Sequence, residues 1–457
     1  MKKIIIAFSL LSGIISFAQE KDSTPVFKKR VLEGVEVEFL ASYYNQDGAH
    51  SAVSGGIGSE KLTDVASNII LSIPLNDDDV LTIDAGISAY SSASSSNINP
   101  YNNGEEDNSG NFATGTPTPW QASSGASSSD ALVALTANYS HSSDTRNFIW
   151  NADVSFSNEY DYTSVGLGGG ITKLFNNKNS ELTVKGNVYL DQWRPIYPIE
   201  FRELSSLRPY IYDQNGNHST AYTNQFSPWT SSGRNSYAAS FSFSQILTKK
   251  SQMSVFFDIL QQEGKLSTPY QRMYFADRAN YYVGDPQYIP VYETTANNGV
   301  YQLADDIERL PNSRFKIPIG MRWHYYINEK IVVRTYYRYY WDNWDITAHT
   351  ASIELPYKIT DKFTIFPMYR YYTQQQSKYF APFEKHLSTE QYYTSDYDLS
   401  TFNANQYGLG ITYTDIFGKA KILSMAIKNI DFRFNHYQRS DGLDSNIVTM
   451  GLKFVEQ

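Results

Sequence analysis

The sequence predicts an all-β protein, a transmembrane antiparallel β-barrel of about sixteen strands with long extracellular loops; fourteen strands is the alternative count. Three observations predict this fold class. Apolar and polar residues alternate in many segments of the 457-residue chain, which is the pattern of a strand with two different environments. The long connections between these segments all fall on one side. After the N-terminus, no apolar run approaches the roughly 20 residues that a membrane helix needs.

The first residues predict export. Lys2 and Lys3 form a positive segment, residues 4–17 are apolar, and Ser16-Phe17-Ala18 matches a cleavage site between small residues. A retained membrane anchor is the alternative, but the apolar run is too short for one. Because no Cys follows the cleavage site, a lipoprotein is not expected. We predict a signal peptide over 1–18, a periplasmic tail over 19–32 and a barrel over 33–457.

Composition narrows the function classes. Aromatic residues make up 15% of the chain, with 37 Tyr, and transmembrane barrels place such residues in girdles at both membrane interfaces. The absence of Cys argues against a disulfide scaffold or a zinc–thiolate site. The net charge of -9 argues against nucleic acid as a partner.

Sixteen segments carry the strand pattern, and the last is the clearest, because Val448, Met450 and Leu452 alternate with Thr449 and Gly451. The predicted strands are 34–44, 62–75, 79–91, 130–141, 147–158, 161–174, 180–192, 236–248, 251–262, 315–327, 329–343, 346–358, 362–375, 405–416, 429–438 and 446–455. The final strand resembles the closing strand of bacterial outer-membrane barrels, which is recognised during assembly. This resemblance implies outer-membrane lipid and the barrel-assembly machinery as partners.

The connections are sorted by length. Every long one falls on one side of the predicted sheet, at 45–61, 92–129, 193–235, 263–314 and 376–404, whereas those on the other side are mostly a few residues long. Outer-membrane barrels have short periplasmic turns and long extracellular loops, and a soluble sandwich or propeller has no reason to sort its loops. An even strand count places both termini in the periplasm, so we expect the protein in the outer membrane.

The faces of single strands agree with this prediction. In 315–327, Ile317 and Ile319 lie on one face, and Lys316 and Arg322 on the other. An amphipathic strand of a soluble sheet has the same pattern. One strand cannot separate the two interpretations, but sixteen strands with sorted loops and an export signal favour the membrane barrel.

Two stretches fit less well. The alternation over 421–429 does not continue into the next strand, so either a bulge shifts the register or a short amphipathic helix precedes that strand. The strand 251–262 is apolar on both faces, which suggests that Phe256 or Leu260 packs against something inside the barrel.

Ten charged side chains are predicted to line the lumen. Those near the closing seam are Glu36, Glu38, Asp84, Arg433 and Lys453, and a basic cluster on the other side comprises Arg322, His324, Arg334, Arg338 and Arg370. The first group is either a polarised lining that selects ions or a set of ion pairs that stabilises a polar interior. The cluster could bind an anion or an acidic partner, although pairing with Glu354, Asp342 or an inward loop is the favoured alternative.

No motif predicts catalysis or a cofactor. The chain contains no nucleophile elbow, no zinc helix motif and no phosphate loop. Residues 213–217 (DQNGN) resemble the start of a calcium loop, but the glycine precedes the third oxygen ligand and no glutamate follows at the right place. A loop-tip turn is the better interpretation, and we expect no enzyme, no cofactor and no metal site.

Two long loops differ in composition. Residues 92–129 are rich in Ser, Asn and Gly and cannot form a core. The loop 263–314 contains many aromatic residues and enough apolar surface to fold. Because loops of this length are usually functional or disordered, we expect 263–314 and 193–235 to fold over or into the barrel mouth. There they would narrow the channel or form a docking surface.

Three segments carry a family resemblance: Gly55–Leu75, Asp77–Pro100 and Glu308–Arg314. They resemble a family of uncharacterised outer-membrane barrels from Bacteroidetes and related bacteria, known only as a domain of unknown function. The resemblance implies that the family covers nearly all of the mature chain, with Gly55, Gly56 and Gly58 in a tight rim turn. Family members are often encoded near a small lipoprotein, a thioredoxin-like protein and a flavin transferase, and this resemblance implies a role in an envelope redox or flavin-related system.

Two functions are expected from these observations. The first is a porin-like channel for small solutes, with an open lumen lined by Glu36, Glu38, Arg334 and Arg338. The alternative is a non-conducting barrel scaffold that docks a periplasmic lipoprotein or a flavin- or thioredoxin-linked redox partner. That alternative predicts a plugged lumen, with loops 193–235 and 263–314 presenting aromatic surface.

Overall fold

The computed structural model describes residues 30–92, 129–292, 300–415, 417–422 and 425–456. Over these residues, sixteen antiparallel strands form a barrel in which each strand pairs with the next and the last pairs with the first. The strands are β1 (Glu36–Asp47), β2 (Leu62–Pro74), β3 (Asp79–Ser92), β4 (Ser129–Ser142), β5 (Phe148–Asn158), β6 (Tyr162–Phe175), β7 (Ser180–Trp193), β8 (Gly233–Thr248), β9 (Ser251–Gly264), β10 (Ser313–Asn328), β11 (Ile331–Asp342), β12 (Thr347–Glu354), β13 (Phe363–Gln375), β14 (Phe402–Thr414), β15 (Met425–Arg439) and β16 (Asp444–Glu456). The prediction of a sixteen-stranded antiparallel barrel is confirmed.

One predicted strand is shorter than expected. β12 ends at Glu354, and pairing resumes only over Tyr357–Lys358. Pro356 lies in the gap, where it cannot donate a backbone hydrogen bond to the sheet. The prediction of an unbroken strand over 346–358 was therefore wrong at this point.

The irregular stretch before the fifteenth strand is a bulge. The register of β15 against β16 shifts between Ile427, which pairs with Phe454, and Asn429, which pairs with Lys453. Lys428 is the extra residue, and this offset explains why the apolar phase changes within the strand. The predicted bulge is confirmed, and the alternative of a helix at this position was wrong.

The outer face of the barrel is apolar and uncovered. Side chains such as Val65, Leu167 and Leu409 point away from the lumen, and Leu409 is 58% exposed. In a closed barrel the apolar face that no protein covers contacts lipid, while the inner face is polar. The fold is therefore a transmembrane barrel of the outer-membrane type. No helix in the described part of the chain is long and apolar enough to cross a membrane.

The connections at one end of the barrel form a folded cap. The cap comprises 48–61, 194–232, 265–292, 300–312 and 376–401. Within it, short strands Ile211–Asp213, Tyr281–Gly284 and Val300–Gln302 form a sheet. Ile199, Leu207, Tyr222 and Val283 belong to a buried apolar cluster beside this sheet. The aromatic residues of the predicted loops therefore build a core.

The N-terminal segments lie outside this description. The predicted signal peptide (1–18) and most of the periplasmic tail (19–32) belong to the undescribed residues 1–29. The Ser-rich loop predicted over 92–129 also falls almost wholly on undescribed residues. These expectations remain predictions.

Candidate functional site

The cap crosses the mouth of the barrel from one side to the other. Gly55 belongs to the loop after β1 and Tyr274 to the loop after β9, and in a closed ring of sixteen strands these loops leave opposite points of the rim. The two residues nevertheless touch, since a Cβ on Gly55 would lie 2.6 Å from Cδ2 of Tyr274. The cap therefore spans the full diameter of the mouth.

A buried ion pair joins two of the cap loops. Arg272 donates from Nε to Glu200 Oε1 at 2.7 Å and from Nη2 to Oε2 at 3.2 Å. The side chains are 1% and 0% exposed. A bidentate pair of this kind fixes both the distance and the orientation of the loops.

A second set of contacts joins the loop before β10 to the loop before β14. Asp306 accepts hydrogen bonds from Arg309 Nε and from the Tyr393 hydroxyl, both at 2.7 Å. The backbones of Arg309 and Tyr393 also form a β-bridge. Phe275 pairs in the same way with His386, so the two loops are linked at two places.

The same region contains a buried carboxyl group without a cationic partner among the described residues. Glu308 is 2% exposed and accepts hydrogen bonds from Thr268 N and Thr394 Oγ1, both at 2.6 Å. Burial raises the pKa of Glu308 to about 8, and the neighbouring Asp396 carboxylate adds to the shift. The cap thus contains an acid that changes charge near neutral pH.

These observations agree with the expected folding of two loops over the mouth and add a third loop. The described residues of 194–232, 265–292 and 300–312 share one buried apolar cluster, and Tyr393 of 376–401 joins Met273 and Phe275 in a second one. The sequence offered a signal for it, since Tyr392, Tyr393 and Tyr397 resemble the aromatic pattern of the other folded loop. Sequence reasoning missed this loop.

The register places all ten predicted lumen residues on the inner face. Residues that pair across neighbouring strands share a face, and continuous rows connect Glu38 to Lys453 and Arg322 to Arg370. The rows contain Glu36, Glu38, Asp84, Arg322, His324, Arg334, Arg338, Arg370, Arg433 and Lys453. Their partners inside the barrel differ, and these partners decide what each charge can do.

The closing seam is an ion-pair network. Lys453 Nζ lies 2.7 Å from Glu36 Oε2 and also contacts Glu38. Lys428, the bulge residue, reaches Glu36 at 3.1 Å. The Glu36, Glu38 and Lys453 charges therefore compensate one another and join the last strand to the first. Asp84 belongs to a different part of the wall, where it accepts from Asn68 Nδ2 at 3.0 Å.

A second network neutralises part of the basic cluster. Glu354 binds Arg334 at 2.8 Å and Arg433 at 2.9 Å, and Arg433 also binds Asp431 at 3.0 Å. Pairing with Glu354, the alternative favoured from the sequence, therefore holds for Arg334. Asp342, the other expected partner, instead binds Arg314.

Three arginines of the cluster are not neutralised. Within the described residues, no carboxylate lies within ion-pairing distance of Arg322, Arg338 or Arg370. The Arg322 guanidinium lies over the rings of Phe256 at 5.0 Å and Tyr336 at 5.8 Å, which hold a cation by its attraction to the ring faces. This contact also explains why Phe256 is apolar on an inner face.

The facing wall carries the opposite charge. Strands β2 to β5 lie opposite β10 to β13 in a ring of sixteen, and their inner rows contain four acids and no Lys or Arg among the described residues. These acids are Asp64, Asp84, Asp130 and Asp153. No described Lys or Arg lies within 4 Å of any of them. Charge is thus separated across the lumen, with acids on one wall and arginines on the other.

A cavity lies in the wall next to the acids. It has a volume of about 420 Å³, and its lining includes Asp153, Asp191, Tyr189 and Arg234. Beside the cavity the wall is closely packed, because a Cβ at Gly168 would lie 2.5 Å from Asp153 Oδ2. Arg234 Nε is buried and makes no hydrogen bond within the described residues. The lumen wall is therefore uneven and polar.

The structure gives no support for a calcium site at 213–217. Asp213 Oδ1 accepts hydrogen bonds from the backbone N–H groups of Asn215 and Asn217, at 2.8 and 3.0 Å. This is the turn that Asp favours. Over the described ranges, no group of three or more His, Cys, Asp or Glu side chains is arranged to hold a metal ion.

Several solved structures are similar to this chain at low identity. A bacterial polysaccharide outer membrane secretin shares 9% identity over 93% of this chain and 99% of its own, with a TM-score of 0.41. OccK2 (OpdF) of Pseudomonas aeruginosa, solved with glucuronate, shares 8% identity over 93% of this chain and 100% of its own, with a TM-score of 0.38. A TodX deltaS2S3 mutant, a monoaromatic hydrocarbon channel, shares 12% identity over 93% of this chain and 90% of its own, with a TM-score of 0.38. Likenesses of this size do not indicate a solute.

No curated protein is significantly similar to this chain. One family profile, described as "Protein of unknown function (DUF3570)", matches residues 4–451, which is nearly the whole chain. The resemblance predicted from Gly55–Leu75, Asp77–Pro100 and Glu308–Arg314 is thereby confirmed. The chain belongs to the DUF3570 family of proteins of unknown function.

Proposed function

We propose that this protein is a passive outer-membrane channel for small polar solutes, and that the cap controls entry from the extracellular side. The observation that carries the proposal is the separation of uncompensated charge across the lumen. Arg322 and Arg370 are exposed although they lie inside the barrel, and acids without cationic partners line the facing wall. Charged side chains in this state require water around them, and a barrel of sixteen strands is wide enough for an aqueous lumen.

The charge separation suits a channel more than a structural interior. Paired interior charges stabilise a barrel, as the networks around Glu36 and Glu354 do here. The separated charges of the two walls do not stabilise each other. They create a field across the lumen that orients dipolar solutes and assists ions along opposite walls.

Planar-bilayer conductance tests the proposal when the intact protein is compared with a variant that lacks the central cap loop. The loop can be shortened cleanly, because Gly264 N donates to Asn312 O at 2.9 Å and a short Gly-Ser turn can replace 265–311. We expect the intact barrel to conduct rarely and the shortened barrel to show a steady ohmic conductance. Steady conductance of the intact barrel would also support a channel and would show that the cap leaves a passage.

A matched control separates loss of the cap from general damage. The same type of replacement in the turn 176–179, which joins β6 to β7 at the other end of the barrel, leaves the cap untouched and should leave the intact pattern unchanged. Folding is checked by heat-modifiable migration on gels. Silence of both the intact and the shortened barrel, with folding shown, would overturn the channel.

A non-conducting scaffold is the second candidate, and two observations favour it. The cap crosses the whole mouth, and the longest periplasmic turn, 415–424, leaves Phe417 77% exposed. Under this proposal the barrel would present its periplasmic end to a small lipoprotein or a redox protein. Silence in both bilayer experiments would make this the preferred function, and binding of such a partner would then be measured with Phe417→Ser as the test variant.

A further inference from the structure

We propose that the lumen contains an oxyanion-binding site, formed by Arg338 and Arg370 on either side of β12 with Arg322 beside them. The site takes small solutes that carry carboxylate or phosphate groups. This inference deepens the proposed function, on which its role in permeation rests, because it names a class of solute. Binding itself can be measured without conductance.

The backbone register brings the arginines together. Arg338 on β11 pairs with Thr350 on β12, while Arg370 on β13 pairs with Ser352 on the same strand. The two arginines therefore lie on opposite sides of β12. The backbones of β11 and β13 are about 10 Å apart, which is twice the spacing of neighbouring strands. Arg322 belongs to the row of Ser352 and Arg370, through Tyr336.

The strand between the two arginines has small inward residues. At this level of β12 they are Ala348, Thr350 and Ser352, of which Ala348 and Thr350 are buried, at 2% and 7% exposed. Because none of the three carries a long side chain, β12 places no large group between the two guanidinium groups. A carboxylate or phosphate group is small enough to lie between them.

Most N–H donors of the Arg338 and Arg370 guanidinium groups make no hydrogen bond within the described residues. Arg370 makes one hydrogen bond, from Nη1 to Gln406 Oε1, at the long distance of 3.4 Å. The Arg338 guanidinium lies 5.9 Å from the ring centre of Tyr340, and the Arg338 side chain makes no hydrogen bond within the described residues. A guanidinium carries five N–H donors in a planar fork that matches a carboxylate or a phosphate. Both forks are therefore available to a solute.

A neighbour on the same strand shows the contrast. Arg334 lies four residues before Arg338, with its side chain on the same face, but it faces Glu354 and binds it at 2.8 Å. At the level of Arg338 the residue on β12 is Thr350 instead. The acidic wall opposite repels an anion toward the arginines. The chain thus neutralises one arginine and leaves the next one free for a ligand.

Isothermal titration calorimetry on the full-length barrel in detergent tests the site. The probes are citrate and inorganic phosphate, with glucose as a neutral control. We expect both anions, but not glucose, to bind, and we expect the double variant R338Q/R370Q to weaken binding at least about tenfold, because hydrogen bonds to charged groups are the stronger ones. Arg338→Lys keeps the positive charge but loses the planar set of N–H donors. Its affinity for the anions should therefore lie between those of the wild type and R338Q.

Lys185→Gln is the matched control. Lys185 is an inward residue of β7, where it pairs with Gly170 and Ser240, several strands away from Arg338 and Arg370. Its loss removes one positive charge from the lumen and should change anion affinity less than about twofold, since exposed charges at a distance are screened by salt. An equal loss in K185Q and in R338Q/R370Q would overturn a local site.

The outcomes separate this inference from the channel. Absence of binding for both anions, or unchanged affinity in R338Q/R370Q, would overturn the site while leaving any conductance of the shortened barrel intact. Anion binding in a barrel that never conducts would support the site and overturn the channel instead. Citrate binding alone would assign the site to carboxylates, and phosphate binding alone to phosphorylated solutes.

Discussion

Arg272 and Glu200 form a fully buried bidentate ion pair between two loops of the cap, 72 residues apart in the chain and 2.7 Å apart at their closest atoms. The pair anchors the cap, in which Arg278 with Asp305 and Arg309 with Asp306 form further ion pairs that are less fully buried. The first prediction concerns this anchor.

Glu200→Gln should open the cap. The substitution removes the carboxylate charge that faces the buried Arg272 guanidinium, and breaking a buried ion pair costs about 3–5 kcal/mol. Hydrogen exchange of residues 199–213 and 272–284 should accelerate, while exchange in the barrel strands should not change. The double variant E200L/R272M removes both charges and should keep the cap closed. Equal opening in the single and double variants would show that the loss of the Glu200 charge opposite Arg272 is not what opens the cap.

The cap should loosen as the pH rises. The folded pKa of Glu308 is raised from 4.5 to about 8 by burial, so the stability that depends on its protonated form is complete below pH 4.5. It is lost as the pH rises through about 8. The open probability of the intact barrel in a bilayer should increase between pH 6 and pH 9. Glu308→Gln keeps a neutral group at the site and should flatten this dependence; an unchanged profile in E308Q would assign it to other groups.

Gly55→Ala should weaken the contact across the mouth. Gly55 has a φ of +80°, and its added Cβ would lie 2.6 Å from the Tyr274 ring. The left-handed backbone alone costs about 1–2 kcal/mol for a residue with a side chain, and the contact adds to it. Gly442→Ala is the matched control, because Gly442 has a φ of +100° but no atom within 4 Å of an added Cβ. Hydrogen exchange of the cap should rise in G55A and stay unchanged in G442A.

Neutralising the acidic wall should make the lumen more selective for anions. Asp84→Asn and Asp153→Asn together remove two charges from the side opposite the arginines. The ratio of chloride to potassium permeability, measured from reversal potentials of the cap-shortened barrel, should rise at least about twofold at low salt, where charges act over longer distances. Lys185→Gln removes a positive charge from the lumen and should lower the ratio of chloride to potassium permeability. An unchanged ratio in the acid variants would contradict a field across the lumen.

The barrel could be predicted from the sequence because each of its elements has a local pattern. The alternation of Val448, Met450 and Leu452 with Thr449 and Gly451 fixes both the strand and its lipid face. Even the bulge at Lys428 is visible as a change of phase. The break after Glu354 was missed because a proline at a strand end and a proline within a strand give the same local signal.

The site could be predicted only in part. Arg334 and Arg338 are the same residue type on the same face of one strand, and only the pairing with β12 shows that one meets Glu354 and the other Thr350. The pair of Glu200 and Arg272 joins two irregular loops and leaves no periodic signal in either. Long-range contacts of this kind depend on the folded geometry of the cap.

The most direct test of a water-filled lumen beneath a cap is labelling of single cysteines with a small charged thiol reagent. The chain contains no Cys, so each variant has one reactive thiol. Ser240→Cys places it on an inward position of β8, and Ala239→Cys places it on the adjacent lipid-facing position.

We expect Ser240→Cys to label slowly when the reagent is added from the extracellular side, and rapidly once 265–311 is replaced by a short turn. Ala239→Cys should remain unlabelled in both barrels. If Ser240→Cys stays unlabelled in the folded, cap-shortened barrel, the lumen is filled, and the account of a capped aqueous channel is wrong.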